Sequence, residues 1–172
     1  MTIQIDSREH KWEMARVQRQ LSALGVHTFV SKLYVGDYQS LDNGRLAIDR
    51  KKDLLELCGN VTQQHERFRA ELVRAQEAGI QIIILIEHGP DIKSLEDVYF
   101  WENPRKHEVK WHTVNGHRVQ YVESAKAIDG RQLYKSMVTI QQKYRVRFAF
   151  CSKDKTGEKI VELLSDGQGE KQ

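Results

Sequence analysis

The chain has 172 residues, 40% hydrophobic, 30% charged and 8% aromatic, a length that suits one domain and excludes a second full one. Its 27 Lys and Arg against 24 Asp and Glu leave a net charge of +3, so bulk charge does not mark a nucleic-acid binder and any basic surface must come from local clustering. Cys58 and Cys151 are too few for a disulfide framework, the amino terminus is too polar for a signal peptide, and no apolar run reaches the roughly 18 residues of a membrane span, so a cytoplasmic protein is expected.

Thr2 to Asp6 reads as a short β-branched strand ending on an acid. Met14, Val17, Leu21 and Leu24 then recur at helical spacing over 11–24, and Gly25 stands where a helix stop belongs. Val26 to Val30 is a second strand. Leu33 to Tyr38 and Arg45 to Asp49 flank Asn43-Gly44, a favoured hairpin turn. Helices are predicted over about 52–58 and 63–78. The run 80–86 is apolar on both faces, as in a sheet covered by helices on each side. Helix 130–144, strand 146–150 and helix 157–164 close the pattern, and 166–172 reads as a frayed tail. This order predicts one mixed three-layer α/β domain over 1–165. A segment at about 88–126 breaks the rhythm, and within it Val109 to Val114 and His117 to Val122 flank a second hairpin turn, Asn115-Gly116.

The densest chemistry lies between Gly36 and Asp53. Antiparallel pairing of the first hairpin brings Asp37 and Asp49 towards one end of the sheet. Two close carboxylates repel unless a cation sits between them, and Mg²⁺, with Mn²⁺ as a substitute, is the natural oxygen-loving choice. Lys51 is two residues beyond Asp49, so strand alternation puts both on one face, where an ammonium can position an attacking water or offset phosphate charge. An acid, a gap, then acid-x-Lys is the D…(D/E)xK pattern of many metal-dependent nucleases. By itself it fits a solvated surface hairpin equally well.

Two features add weight. Asp6 ends the first strand and leads into the charged turn Ser7-Arg8-Glu9, and Gly36 allows tight backbone beside Asp37. Ile5-Asp6-Ser7-Arg8-Glu9, Val35-Gly36-Asp37-Tyr38, Ile48-Asp49-Arg50-Lys51 and Ile84-Leu85-Ile86-Glu87 fall in the order seen in XPF-type nuclease domains, which the chain resembles over 3–87 and more loosely over 128–164. That family's signature is Gly-Asp, a spacer, then Glu-Arg-Lys, three residues and Asp. Here Asp49 replaces the Glu and Leu55 stands at the final Asp position, with Asp53 and Glu56 as acids that could substitute.

The resemblance implies a restriction-endonuclease-like fold with a mixed central sheet and helices on both faces. It also implies a Mg²⁺-dependent endonuclease that cuts branched DNA in repair or recombination and leaves 5′-phosphate and 3′-hydroxyl ends. Asp37 and Asp49 are then metal ligands, Asp6 a further ligand or supporting acid, Lys51 the residue that positions water, and Arg50 a support for the phosphate or the local fold. A silent DNA-binding or scaffold module with the same fold is the alternative, because of Asp49 and Leu55. A protein-interaction domain with merely superficial acids is a third reading. Relatives commonly add helix-hairpin-helix repeats. No such length follows Ser165, so a preference for branched DNA is expected to come from the 88–126 segment, a homodimer or a partner protein, and a lone domain suits a bacterial or phage setting.

Candidate DNA contacts follow from basic clustering. Arg67 and Arg74, seven apart on the helix 63–78, share a face, although ion pairing with Glu66 or Glu71 fits these positions as well. From Arg131 to Arg147 five basic residues, Lys135 among them, meet no acid. Arg105, Lys106, Lys110 and Arg118 stand against Glu108, with Trp101 and Trp111 nearby, where bases could stack, although a packed hairpin with buried tryptophans is the favoured reading. Arg8 completes the set. His112 and His117 would share a hairpin face, but no cysteine or tight spacing supports zinc there.

Overall fold

The apolar run at 80–86 becomes a central strand, and its two-sided burial sets the layering. The computed structural model describes residues 1–122 and 127–166. Its elements are β1 (Thr2–Asp6), α1 (Lys11–Ala23), β2 (His27–Ser31), β3 (Tyr38–Ser40), β4 (Asn43–Lys51), α2 (Leu54–Val61), α3 (His65–Glu77), β5 (Gln81–Glu87), β6 (Val109–Val114), β7 (His117–Val122), α4 (Gly130–Tyr144), β8 (Arg147–Cys151) and α5 (Thr156–Asp166). From β5, Ile82, Ile84 and Ile86 pack beneath α2, α3 and α4 with Leu57, Phe68, Leu72, Leu133 and Met137. Ile83 and Leu85 face the other way, against Val17 and Leu21 of α1 and Ile160 and Leu164 of α5. Each such fully buried side chain contributes about 1.5–3 kcal/mol relative to exposure. This is the expected three-layer arrangement.

The sheet runs β2-β1-β3-β4-β5-β8. β1 pairs parallel with β2 and antiparallel with β3, β3 pairs antiparallel with β4, and β4, β5 and β8 run parallel. The carboxyl ends of β1, β2, β4, β5 and β8 and the start of β3 therefore share one edge. In open α/β sheets that edge is where ligands bind.

Several boundaries differ from expectation. The first hairpin turns at Leu41-Asp42, not Asn43-Gly44: Ser40 pairs with Asn43 while Gln39 pairs with Ala47, so residues 44–46 bulge. The Asn43 side chain accepts from the Arg45 N–H (3.0 Å) and so shapes the bulge instead of the turn. Residues 33–37 are not strand, because Leu33 and Val35 are drawn into the interior. α5 continues to Asp166, which was expected in the tail; residues 167–172 of that tail, and 123–126 of the 88–126 segment, lie outside the described residues.

The 88–126 segment begins where β5 ends. Of two short 3-10 turns, Glu96–Phe100 and Pro104–Lys106, the first packs on α4, and β6 and β7 pair only with each other among the described residues, around Asn115 (φ 51°) and Gly116 (φ 81°). Trp111 is 57% exposed, so the hairpin is not packed over buried tryptophans. His112 and His117 do share a face, but His112 stacks on Tyr121 with ring centroids 4.9 Å apart. Among the described residues no group of three or more His, Cys, Asp or Glu is arranged to hold a metal, at the hairpin or elsewhere, and no helix is long and apolar enough to cross a membrane.

Candidate active site

Alternation along β4 sorts its last three residues to opposite faces of the sheet. Asp49 and Lys51 face α3, where Lys51 Nζ donates to Asp49 Oδ1 (2.8 Å) and lies 5.6 Å from the centre of the Phe68 ring. Asp37 stands just before β3 at the same edge. Its own N–H donates to Ile48 O (2.7 Å), and its Oδ2 accepts from the Arg50 backbone N–H (2.7 Å), so β4 fixes this carboxylate directly. Gly36 makes that approach possible: it has φ +71°, and a Cβ there would fall 3.0 Å from Ile48 O. Glu71 of α3 accepts from the Gly36 N–H (3.0 Å), which anchors the helix over the Gly-Asp turn.

The electrostatics are asymmetric. Asp37 keeps some surface open to solvent but lies deep among protein atoms. Desolvation, then the charges of Asp49 and Glu9, push its carboxyl well above the ordinary carboxylate range, against the pull of Lys51 and of the Arg50 N–H. Burial alone would lower the Lys51 ammonium, but Asp49, Asp37 and Glu56 outweigh it, so the net shift is upward and Lys51 keeps its proton at physiological pH. The site therefore holds two carboxylates against one fixed cation, a donor set of hard oxygens in acid excess. That chemistry fits a divalent ion which binds through one or two carboxylates and keeps several waters.

Two sequence expectations that left alternatives open are narrowed here. Asp6 is buried at the same edge, but its carboxylate is taken up by Arg8: it accepts from the Arg8 backbone N–H (3.2 Å) and from Nε (2.8 Å), and it also contacts the terminal guanidinium nitrogen. It thus shapes the strand-to-helix turn and is not a third free ligand. The Arg50 side chain lies on the opposite face, beneath α1, bound to Glu9 (2.5 Å), with Glu87 at 3.2 Å and Glu13 at 3.7 Å. It cannot reach a phosphate beside Asp37; its support for the fold is what remains. Arg16 joins that cluster through Glu13 (2.8 Å) and Glu87, and Thr156 Oγ1 donates to Glu87 (2.7 Å).

The acids near the Leu55 position have structural duties. Asp53 caps α2 by accepting from the Glu56 N–H (2.7 Å), and Glu56 accepts from the Lys52 N–H (2.9 Å). Leu55 is half-buried on α2. Burial pushes the thiols of Cys58 and Cys151 each up to about 11, which leaves neither as a nucleophile.

Basic residues ring the edge unevenly. The Arg8 guanidinium, half exposed and also bonded to Leu33 O (3.0 Å), acts electrostatically on Glu71 and Asp37 as well as Asp6, so it belongs to the site's rim. Arg67 and Arg74 fall on the helical stripe of Glu71, the residue that reaches Gly36, with Arg67 exposed and Arg74 half-buried. Lys135 lies further off, in a groove of about 380 Å³ between α3 and α4, with Arg69, Phe68 and Tyr144. Arg105 lies close enough to α2 for its charge to act on Cys58, and Lys110 is on β6. Sequence reasoning missed Glu9 and Glu71 as contributors; the only local signals were Glu9 in the charged turn and Glu71 midway between two arginines.

Comparison with known proteins now decides the family. A model of the ERCC4 domain matches residues 5–163. The chain belongs to the ERCC4 domain family. The fold of this ERCC4 domain is similar to that of XPF from Aeropyrum pernix (TM-score 0.64, 19% identity, 99% of this chain and 66% of that one). It is also similar to XPF from Aeropyrum pernix in complex with DNA (TM-score 0.61, 20% identity, 97% and 64%). The chain thus spans just under two thirds of the length of these structures, and the likeness is one of fold. No curated protein sequence matches it significantly. The restriction-endonuclease-like architecture expected from the four motif blocks is the one observed.

Proposed function

We propose that this ERCC4 domain is a metal-dependent DNA endonuclease acting on branched or partly single-stranded DNA in repair or recombination. The observation that carries the reading is Asp37, held on β4 by the Arg50 N–H, and Asp49, held by Lys51, together at the strand edge where such folds bind ligands. Asp37 and Asp49 are the residues that would hold Mg²⁺ or Mn²⁺. Such an ion supplies charge stabilisation of the scissile phosphate and a more acidic water. Lys51, whose ammonium the neighbouring carboxylates favour, fixes Asp49 and adds a positive charge where the phosphate gains negative charge. Arg50 contributes through its backbone, by holding the Asp37 carboxylate in place. Arg8, Arg67 and Arg74 offer phosphate contacts around the edge. The solved XPF complex contains DNA, which supports DNA as the polymer bound.

Incubation of labelled flap, fork and linear duplexes with Mg²⁺, Mn²⁺ or EDTA tests this, with Asp37→Asn and Lys51→Ala in parallel. Cutting should require the metal and fall at least about 10²–10³-fold in each variant, the usual cost of removing one preorganised charge. A second reading, a silent DNA-binding or scaffold module, is favoured by the Asp49–Lys51 ion pair, which already neutralises one carboxylate, and by Leu55. DNA binding by the wild type with no cutting in either metal would establish that reading and sink the first.

A further inference from the structure

The β6–β7 hairpin has no structural role in the core, yet it is rich in side chains that proteins ordinarily bury. Val109, Trp111, Val114, Val119 and Val122 are all exposed, and a lone two-stranded hairpin is marginal in water without something to pack on. The register gives each face an aromatic beside a cation. On one face Trp111, Gln120, Thr113 and Arg118 come together, with the Arg118 guanidinium 5.3 Å from the centre of the Trp111 ring. On the other, Lys110 pairs with Tyr121, and Tyr121 stacks on His112.

Charge identifies the occupant. Residues 109–122, between Glu108 and Glu123, contain Lys110, Arg118, His112 and His117 and no Asp or Glu, in a chain where 24 of 172 residues are acidic. A hairpin built for another copy of this nearly neutral chain would carry acids as well as bases. Exposed aromatics with neighbouring cations and no acid match unpaired nucleotides, whose bases stack on rings while their phosphates meet the bases of the protein.

Topology roots this segment at the edge that carries the site. The segment leaves the sheet at the carboxyl end of β5 and returns at the amino end of α4, and both points lie on the edge that carries Asp37 and Asp49. Its base is firmly seated. Asn103 donates to Ile128 O (2.8 Å), Lys106 is 3.6 Å from Asp129, and a Cβ on Gly130 would fall 2.4 Å from Val98 O. Anchored residues before and after a hairpin that pairs with no other strand among the described residues are the form of a pin.

We infer that the β6–β7 hairpin is a strand-engaging pin: at a fork or flap, Trp111, backed by Arg118, stacks on an unpaired base next to the branch and so directs branched DNA to the Asp37–Asp49 edge. This rests on the proposed nuclease reading for its purpose, but not for its test. The experiment measures binding of a fork carrying 2-aminopurine beside the branch, and of a fully paired duplex, in EDTA. Wild type, Trp111→Ala, Arg118→Ala and a chain with 109–122 replaced by Gly-Gly are compared, with thermal melts confirming folding. Trp111→Ala should weaken fork binding roughly 5- to 150-fold and abolish the change in 2-aminopurine fluorescence, with duplex affinity altered far less. Equal fork affinity in the folded hairpin-less chain overturns the proposal. So does a change of oligomeric state on hairpin removal, seen by sedimentation, with fork binding intact, since the surface would then belong to a protein contact. Hairpin-dependent fork binding by a chain that never cuts would leave the pin standing and remove the nuclease reading; cutting of forks without dependence on the hairpin would do the reverse.

Discussion

Two clusters of charge lie back to back at one end of the sheet, and β4 feeds both. Beneath α1, Arg50 and Arg16 meet Glu9, Glu13 and Glu87, with Thr156 donating to Glu87 Oε1. Beneath α3, Asp49 and Lys51 meet Asp37. In the first, the partners dominate. Arg50 is held above the already high arginine range by Glu9 and Glu87 although burial opposes it, and Glu13 is held below the ordinary carboxylate range by Arg16 and Arg50, again against burial. In the second, burial and like charge dominate, and Asp37 is driven upward. One face is a strut of ion pairs between two arginines and three glutamates, whose attraction outweighs burial although Arg50 Nε and Glu87 Oε2 find no hydrogen-bond partner among the described residues. The other keeps an acid that its surroundings disfavour. Strain of that kind persists at sites that await a ligand.

The comparison can be broken most forcefully at Arg50. Arg50→Leu leaves Glu9 without its arginine and buried Glu87 with Arg16 alone, and breaking a buried pair in this way typically costs about 3–5 kcal/mol. Thermal unfolding should show it as a fall in Tm of roughly 6–20 °C for a chain of this size. A loss below about 1 kcal/mol would mean that the cluster beneath α1 is not a strut. Asp37 should respond in the opposite direction. Asp37→Asn keeps an acceptor for the Arg50 N–H and removes the disfavoured charge, so at pH 8 in EDTA it should stabilise the chain by about 1 kcal/mol, or roughly 2–4 °C. The same variant should lose cutting. A variant that melts higher and does not cut is the signature of a group kept for function.

The working face was far more legible in the sequence than the strut. Asp37, Asp49 and Lys51 meet through a hairpin and a period-2 alternation, both local rules, and they come together even though the turn slipped two residues to Leu41-Asp42. Elements with strong periodicity or a marked turn were equally plain: α4 spans 130–144, and β6 and β7 flank Asn115-Gly116, as expected. The strut joins residues 41 and 71 positions apart, Glu9 with Arg50 and Arg16 with Glu87, and no local pattern encodes such pairings. The same limit explains Asp6. Its place at a strand end was readable, but its surrender to Arg8, whose guanidinium also bonds Leu33 O, depends on how the chain folds back. Trp111 illustrates a different gap, because alternation in a hairpin does not tell whether another layer covers it.

The finest test of the contrast follows the Asp37→Asn gain with pH. Because the folded-state pKa of Asp37 is raised above its unfolded value of about 3.9, the folded chain holds the proton in the window between the two while the unfolded chain releases it. Stability contributed by that proton is complete below the unfolded value and is lost as pH rises through the folded one, so the charged carboxylate is a full burden only above that window. The advantage of Asp37→Asn, largest at pH 8, should therefore shrink to a few tenths of a kcal/mol or less as pH approaches about 4. Titrating groups remote from Asp37 act on both chains alike and cancel in the difference, so what remains belongs to Asp37 and to the Asp49, Glu9 and Lys51 charges that sense it. Excess Mn²⁺ at pH 8 should close the same gap from the other side, by stabilising the wild type and not the variant. An advantage that ignores both pH and metal would show that Asp37→Asn acts through packing, and the working face would then be no more strained than the strut.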